Sequence, residues 1–133
     1  MPCSSAGYIV QNGTNWKQQS SADVKSQSKS AESHAERVAY NGFKNKPGPY
    51  LIVQDAFPCF DKCHQHFLKC KDSVIIKVTA DNTFDGNSYV QGNLITGLTF
   101  PCYIYYHAAT ATFSVGTPGA PAAFPVHPSP ASV

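Results

Sequence analysis

Tyr50-Leu51-Ile52-Val53-Gln54-Asp55-Ala56-Phe57-Pro58-Cys59-Phe60-Asp61-Lys62-Cys63-His64 decides the fold class of this chain. Its first five residues form a short apolar run of the kind found in buried strands. Pro58 suits the first turn of a helix, and the pattern predicts a helix over residues 58–70. Upstream, residues 30–41 collect the helix formers Ala31, Glu32, Ala35, Glu36, Arg37 and Ala39. Ser30 or Ser33 is the expected cap and Gly42 the expected stop. Lys46-Pro47-Gly48-Pro49 must turn the chain into the quoted stretch. Downstream, residues 73–80 are β-branched almost throughout and read as the clearest strand. Residues 102–106 read as another, and 110–115 as a candidate for one more. Near the start, Tyr8-Ile9-Val10-Gln11 and the residues around Trp16 flank Asn12-Gly13, a turn dipeptide that suits a hairpin.

The order is hairpin, helix, strand, helix, strand, strand. Such alternation predicts an α/β chain with parallel central strands, a mixed five-stranded sheet, and both helices on one face. Residues 81–100 carry Gly86, Gly92 and Gly97 and no helical pattern. A parallel connection needs a crossover of a dozen or more residues, usually helical. The strands at 73–80 and 102–106 are therefore expected to pair antiparallel, with 81–100 as an irregular loop over or beside the cleft.

The chain has 133 residues, room for one domain but not for a second that binds nucleic acid. Residues 1–115 are assigned to that domain and 116–133 to an Ala/Pro-rich C-terminal tail. A net charge of +2 excludes a polybasic binder, yet every Lys and Arg lies within the first 77 residues. Lys17, Lys25, Lys29, Lys44, Lys46 and Lys62 could follow a phosphate backbone or merely face solvent. No apolar run approaches the ~18 residues of a membrane span, and the start Met1-Pro2-Cys3-Ser4-Ser5 lacks the pattern of a signal peptide. Five cysteines cannot all pair within one chain, which makes a metal site worth testing.

Three pieces fall at the starts of the predicted helices: His34-Ala35-Glu36, Pro58-Cys59, and Cys63. Cys59 and Cys63, at i and i+4, share one helical face, so both sulfurs can reach one metal. His34 completes three protein ligands. Zinc takes Cys and His donors in a tetrahedron, and three protein ligands leave a fourth position for water, the mark of a catalytic site. Water held there has its pKa lowered toward 7. Glu36, two residues after His34, is placed to move protons beside it.

A His-x-Glu followed by Pro-Cys-x-x-Cys is the signature of zinc-dependent nucleobase deaminases. The chain resembles that superfamily at His34-Ala35-Glu36 and Pro58-Cys59. It departs at Cys59-Phe60-Asp61-Lys62-Cys63, where three residues intervene in place of two; His64 is the obvious substitute ligand and Cys70 a remoter one. The stretch 50–64 is similar to deaminase domains of bacterial polymorphic toxins. Cys63-His64 also resembles the DYW-type RNA-editing deaminases of plants. The strand at 73–81 and Phe100-Pro101-Cys102-Tyr103-Ile104-Tyr105-Tyr106 look closest to the SsdA-like branch, whose known member acts on cytosine in single-stranded DNA.

Over residues 30–107 the resemblance implies a three-layer cytidine-deaminase-like fold. It implies Zn2+ held by His34, Cys59 and Cys63, with Glu36 as the catalytic acid and base. It implies conversion of cytosine to uracil in single-stranded DNA; double-stranded DNA, RNA or a free nucleoside are the alternative substrates. It also implies a monomeric toxin domain with no membrane partner, delivered as part of a larger secreted protein. Such a domain would act in the recipient cytoplasm and have a cognate immunity protein in the producer.

A deaminase must hold its base between apolar walls and read its polar edge. Asn12, Asn15 and Trp16 of the hairpin, Phe57 before Pro58-Cys59, and His107 are the candidates for this, each with a plain packing or turn role as its rival. A non-enzymatic reading also stands: a zinc-stabilised binding module with His34, Cys59, Cys63 and either His64 or Cys70 as four ligands. Cys102 is expected in the core, His66 at the surface, and most of Tyr103, Tyr105 and Tyr106 against the helices.

Overall fold

The computed structural model describes residues 3–11, 13, 15–24, 34–58, 63–80, 100–116, 118–119 and 129–133. Six strands form one mixed sheet: β1 (Cys3–Gln11), β2 (Asn15–Val24), β3 (Tyr50–Gln54), β4 (Val74–Val78), β5 (Cys102–His107) and β6 (Thr112–Gly116), in the order β2-β1-β3-β4-β5-β6. Two α-helices, α1 (Ala35–Asn41) and α2 (Cys63–Leu68), connect the strands on either side of β3. The chain is thus α/β, with six strands where five were expected. The added strand is β6, the further candidate at residues 110–115, whose Phe113 and Val115 alternate with Thr112 and Ser114 and pack on the core.

β3 and β4 run parallel, Tyr50 beside Val74 and Gln54 beside Val78. β4 and β5 run antiparallel, as expected from the sequence, with Val74 opposite Tyr106 and Val78 opposite Cys102. The connecting loop at 81–99 lies outside the described residues. Strand alternation divides the core between two faces. Tyr50, Ile52, Val74, Ile76, Val78, Ile104 and Tyr106 lie on one face with Phe43, Phe57, Cys63 and Phe67. Leu51, Ile75, Tyr103 and Tyr105 lie on the other with Trp16.

The first face carries both helices: α1 packs on β1, β2 and β3, and α2 on β5. The second face carries no described α-helix; Val133, which ends the 3-10 turn Pro130–Ser132, packs on it, and the Lys77 ammonium donates to the Val133 oxygen. The expected three layers are therefore not complete among the described residues. Tyr106 faces the helices, but Tyr103 and Tyr105 face away from them, correcting their expected place. Among the described residues no helix is long and apolar enough to cross a membrane.

Both helices begin later than their propensities suggest. His34 is extended, with φ −67° and ψ 145°, so it is the N-cap and the helix starts at Ala35, not at Ser30. Ser30 and Ser33 lie outside the described residues and precede that extended cap. Gly42 ends the helix as expected, its N–H bonding back to Ala39 and Tyr40. Pro58 is non-helical, which removes it from the first turn assigned to it, and α2 is described only from Cys63.

The sheet and α1 meet closely at Gly7. A Cβ there would stand 2.7 Å from Phe43 Cδ2 and 2.7 Å from Ser20 Oγ. Phe43 is itself pinned by stacking on Tyr50 at 4.5 Å, so it cannot retreat cheaply. Gly7→Ala is expected to cost about 1–3 kcal/mol by overpacking. Chemical denaturation would show this as a lower midpoint at unchanged slope; an unaltered midpoint would mean that Phe43 yields.

Candidate metal centre

His34, Glu36 and Cys63 come together at the starts of α1 and α2. One ligand atom from each lies within 4.8 Å of the others, and all three side chains are buried. His34 Nδ1 is 3.1 Å from Cys63 Sγ and 3.6 Å from Glu36 Oε1. The local chain explains the convergence. As N-cap, His34 gives its carbonyl to the Val38 N–H at 3.0 Å, while its side chain makes no capping bond. The imidazole instead turns to Cys63. Glu36 lies in the first turn, where the helix dipole favours a carboxylate, and is only 4% exposed.

The donor set fits zinc: one imidazole nitrogen, one thiol that binds as thiolate, and one carboxylate beside them. Tetrahedral zinc with ordinary bond lengths holds N and S donors about 3.6 Å apart. His34 and Cys63 therefore need to open by about half an ångström to admit it. Cys59, the expected third ligand, lies outside the described residues.

His64 does not join the cluster. Its Nδ1 is 2.9 Å from the Tyr106 hydroxyl, and its ring meets Phe113 edge-on at 4.6 Å. Burial pulls its pKa down to about 4, so the ring is neutral at pH 7. This places it as a brace between α2 and the β5–β6 edge, not as the substitute ligand. Cys70 is also outside the group; its sulfur lies 3.7 Å from His66 Nε2. Cys63, Cys70 and Cys102 are free of disulfides.

Phe57 shares the core cluster of Cys63 and meets Phe100 edge-on at 5.9 Å. Trp16 does not share it; it packs on the opposite face of the sheet with Leu51, Ile75, Tyr103 and Tyr105. Asn15 is exposed at the start of β2, paired with Gln11. Asn12 lies outside the described residues. His107 sits where β5 ends, its Nε2 3.1 Å from Ser114 Oγ. The next residue, Ala108, bonds to Ser73, which precedes β4. That is the end of the sheet opposite the one where β3 leads toward α2. Among the described substrate-binding candidates, Phe57 is thus the one in the core cluster that holds Cys63.

His66 is half-buried against Tyr40, at a ring separation of 5.0 Å, and not on the surface as expected. Burial first, then the charges of Arg37 and Lys44, hold its pKa at about 4 against an ordinary 6.5. The unfolded chain therefore binds a proton near pH 6.5 that the folded chain refuses. Stability is whole above pH 6.5, falls as pH drops from 6.5 toward 4, and levels off below that. His66→Gln is expected to remove on the order of 2 kcal/mol of that acid loss, measured as the difference between variant and wild-type denaturation at each pH. Parallel curves for the two proteins would contradict it.

Comparison of the chain with protein-family models, with curated proteins and with solved structures finds no match.

Proposed function

We propose that the chain is a zinc-dependent hydrolytic deaminase of cytidine-deaminase-like fold that converts cytosine to uracil in single-stranded DNA. One observation carries the reading: His34 and Cys63, 29 residues apart in sequence, meet with Glu36 in a buried group at the starts of two helices. A parallel β3–β4 pair between the antiparallel neighbours β1 and β5, with both helices on one face, supports the fold.

His34, Cys63 and Cys59 would hold the metal. When bound, zinc supplies a water acidified toward pKa 7 at a position the protein leaves open. Glu36 takes a proton from water as its oxygen adds to C4 of cytosine. Glu36 gives that proton to the ring nitrogen, then takes the second from the new C4 hydroxyl and gives it to the departing amine. The C4–N bond breaks, ammonia leaves, and uracil remains; water supplies the oxygen and both hydrogens that balance the change. Burial of Glu36 keeps this transfer out of bulk solvent. Phe57, in the same core cluster as Cys63, offers an aromatic wall for the base.

The same reading makes the chain a toxin domain, delivered from a larger exported protein and held in check by an immunity protein in the producer. Matched single- and double-stranded DNA and RNA, with free cytidine alongside, test the substrate. Uracil is expected in single-stranded DNA first. Uracil in RNA or in free nucleoside alone would overturn the substrate, and none in any would overturn the activity.

A further inference from the structure

The helix layer carries cations that the metal centre does not use. Arg37 and Tyr40, at i and i+3, share one face of α1, and Lys44 stands in the turn that follows it. Tyr40 locates that face against α2, its ring edge-on to His66 at 5.0 Å and to Phe67 at 6.0 Å. Arg37 and Lys44 both lie within electrostatic reach of His66, and Arg37 within reach of Cys70. Among the described residues neither cation has a carboxylate at ion-pair distance; the pair His34–Glu36 is the one such contact. Asp72, within electrostatic reach of Tyr40 and Cys70, accepts from the Tyr50 hydroxyl at 3.2 Å. The Arg37 Nε is buried and has no hydrogen-bond partner among the described residues. A buried donor without an acceptor is costly and calls for an explanation.

We propose that the face formed by Arg37, Tyr40 and Lys44 seats the phosphate backbone of the single-stranded nucleic acid whose base enters the metal centre. The inference rests on the deaminase reading and adds the element it lacks, a place for the strand. A guanidinium offers a planar fork that matches phosphate, and an exposed lysine adds a point charge. Tyr40 itself is packed edge-on against Phe43, Tyr50, His66 and Phe67, so it anchors this face and the two cations carry the binding. Arg37 directly follows Glu36 on α1, so the two cations and the metal centre are carried by one helix and its turn.

The test is the salt dependence of binding. Anisotropy of a labelled single-stranded oligonucleotide is titrated with the zinc-loaded wild type, Arg37→Gln, Lys44→Gln and the double variant, from 50 to 200 mM salt. Each lost phosphate contact is expected to lower the slope of log affinity against log salt by about 0.7, and the double variant by about 1.4. Each single variant is expected to bind about 3- to 10-fold more weakly at the lowest salt. Lys17→Gln, on the edge strand, is expected to leave the slope unchanged. Lys44 is exposed, so that variant remains informative if Arg37→Gln unfolds.

An unchanged slope in Lys44→Gln and in the double variant, or an equal loss in Lys17→Gln, overturns the proposal. Zinc content and uracil formation by the wild type are read on the same preparation. Uracil formation with unaltered slopes overturns the phosphate face alone; no uracil formation overturns the deaminase reading beneath it.

Discussion

Glu36→Gln is expected to bind zinc and fold as the wild type does while losing deamination by at least about 10²–10⁴-fold. Gln keeps the shape and one carbonyl oxygen of the side chain but cannot carry a proton between water and the base. The buried position beside His34 makes the exchange a clean test, because no cavity is opened. Zinc content by elemental analysis, thermal unfolding and uracil formation should be read on one preparation. Full activity in this variant would remove Glu36 from the mechanism. Lost zinc with lost activity would make it a structural support for the metal.

Cys63→Ala acts one step earlier. The sulfur stands 3.1 Å from His34 Nδ1 and is fully buried. Even partners of metal ligands cost 10–100-fold in affinity when removed, so a ligand itself is expected to cost more than about 100-fold. Zinc at a thousand times its dissociation constant stabilises the wild type by about 4 kcal/mol. Adding a chelator should therefore lower the wild-type melting temperature by on the order of 10 °C. The variant should show almost no response. A chelator shift of equal size in Cys63→Ala would exclude this sulfur as a ligand.

The parts of the fold legible in the sequence are those where one physical signal acts alone. β4 carries Val74, Ile75, Ile76 and Val78 and is buried at each of these positions, so β-branching suffices to read it. The antiparallel return of β5 was legible because the sequence at 81–100 carries no helical pattern, and the pairing agrees with it. β2 extends to Val24 through Gln18, Gln19, Ser20 and Ser21, which look like a polar linker. Its pairing with β1 at the sheet edge, not its own composition, makes it a strand. α1 was read too long because Ala31 and Glu32 favour helix, whereas His34 is held extended.

In the site, the spacing His34-x-Glu36 and the position of Cys63 were enough to bring the three together. Trp16 was misplaced because a strand residue reaches one face or the other according to register, which the sequence does not carry. The brace between His64 and Tyr106 joins residues 42 apart, and no local pattern announces it. Nor does any local pattern announce that Arg37 lies within electrostatic reach of His66 and Cys70.

Zinc dependence of uracil formation tests the central claim most directly. Wild-type protein is stripped by a chelator, then given back zinc in stoichiometric steps, with uracil in a single-stranded cytosine oligonucleotide as the readout. Activity is expected to vanish on stripping and to return in proportion to zinc, saturating at one ion per chain. Undiminished uracil formation by metal-free protein, or none after one ion per chain is restored, would contradict the account.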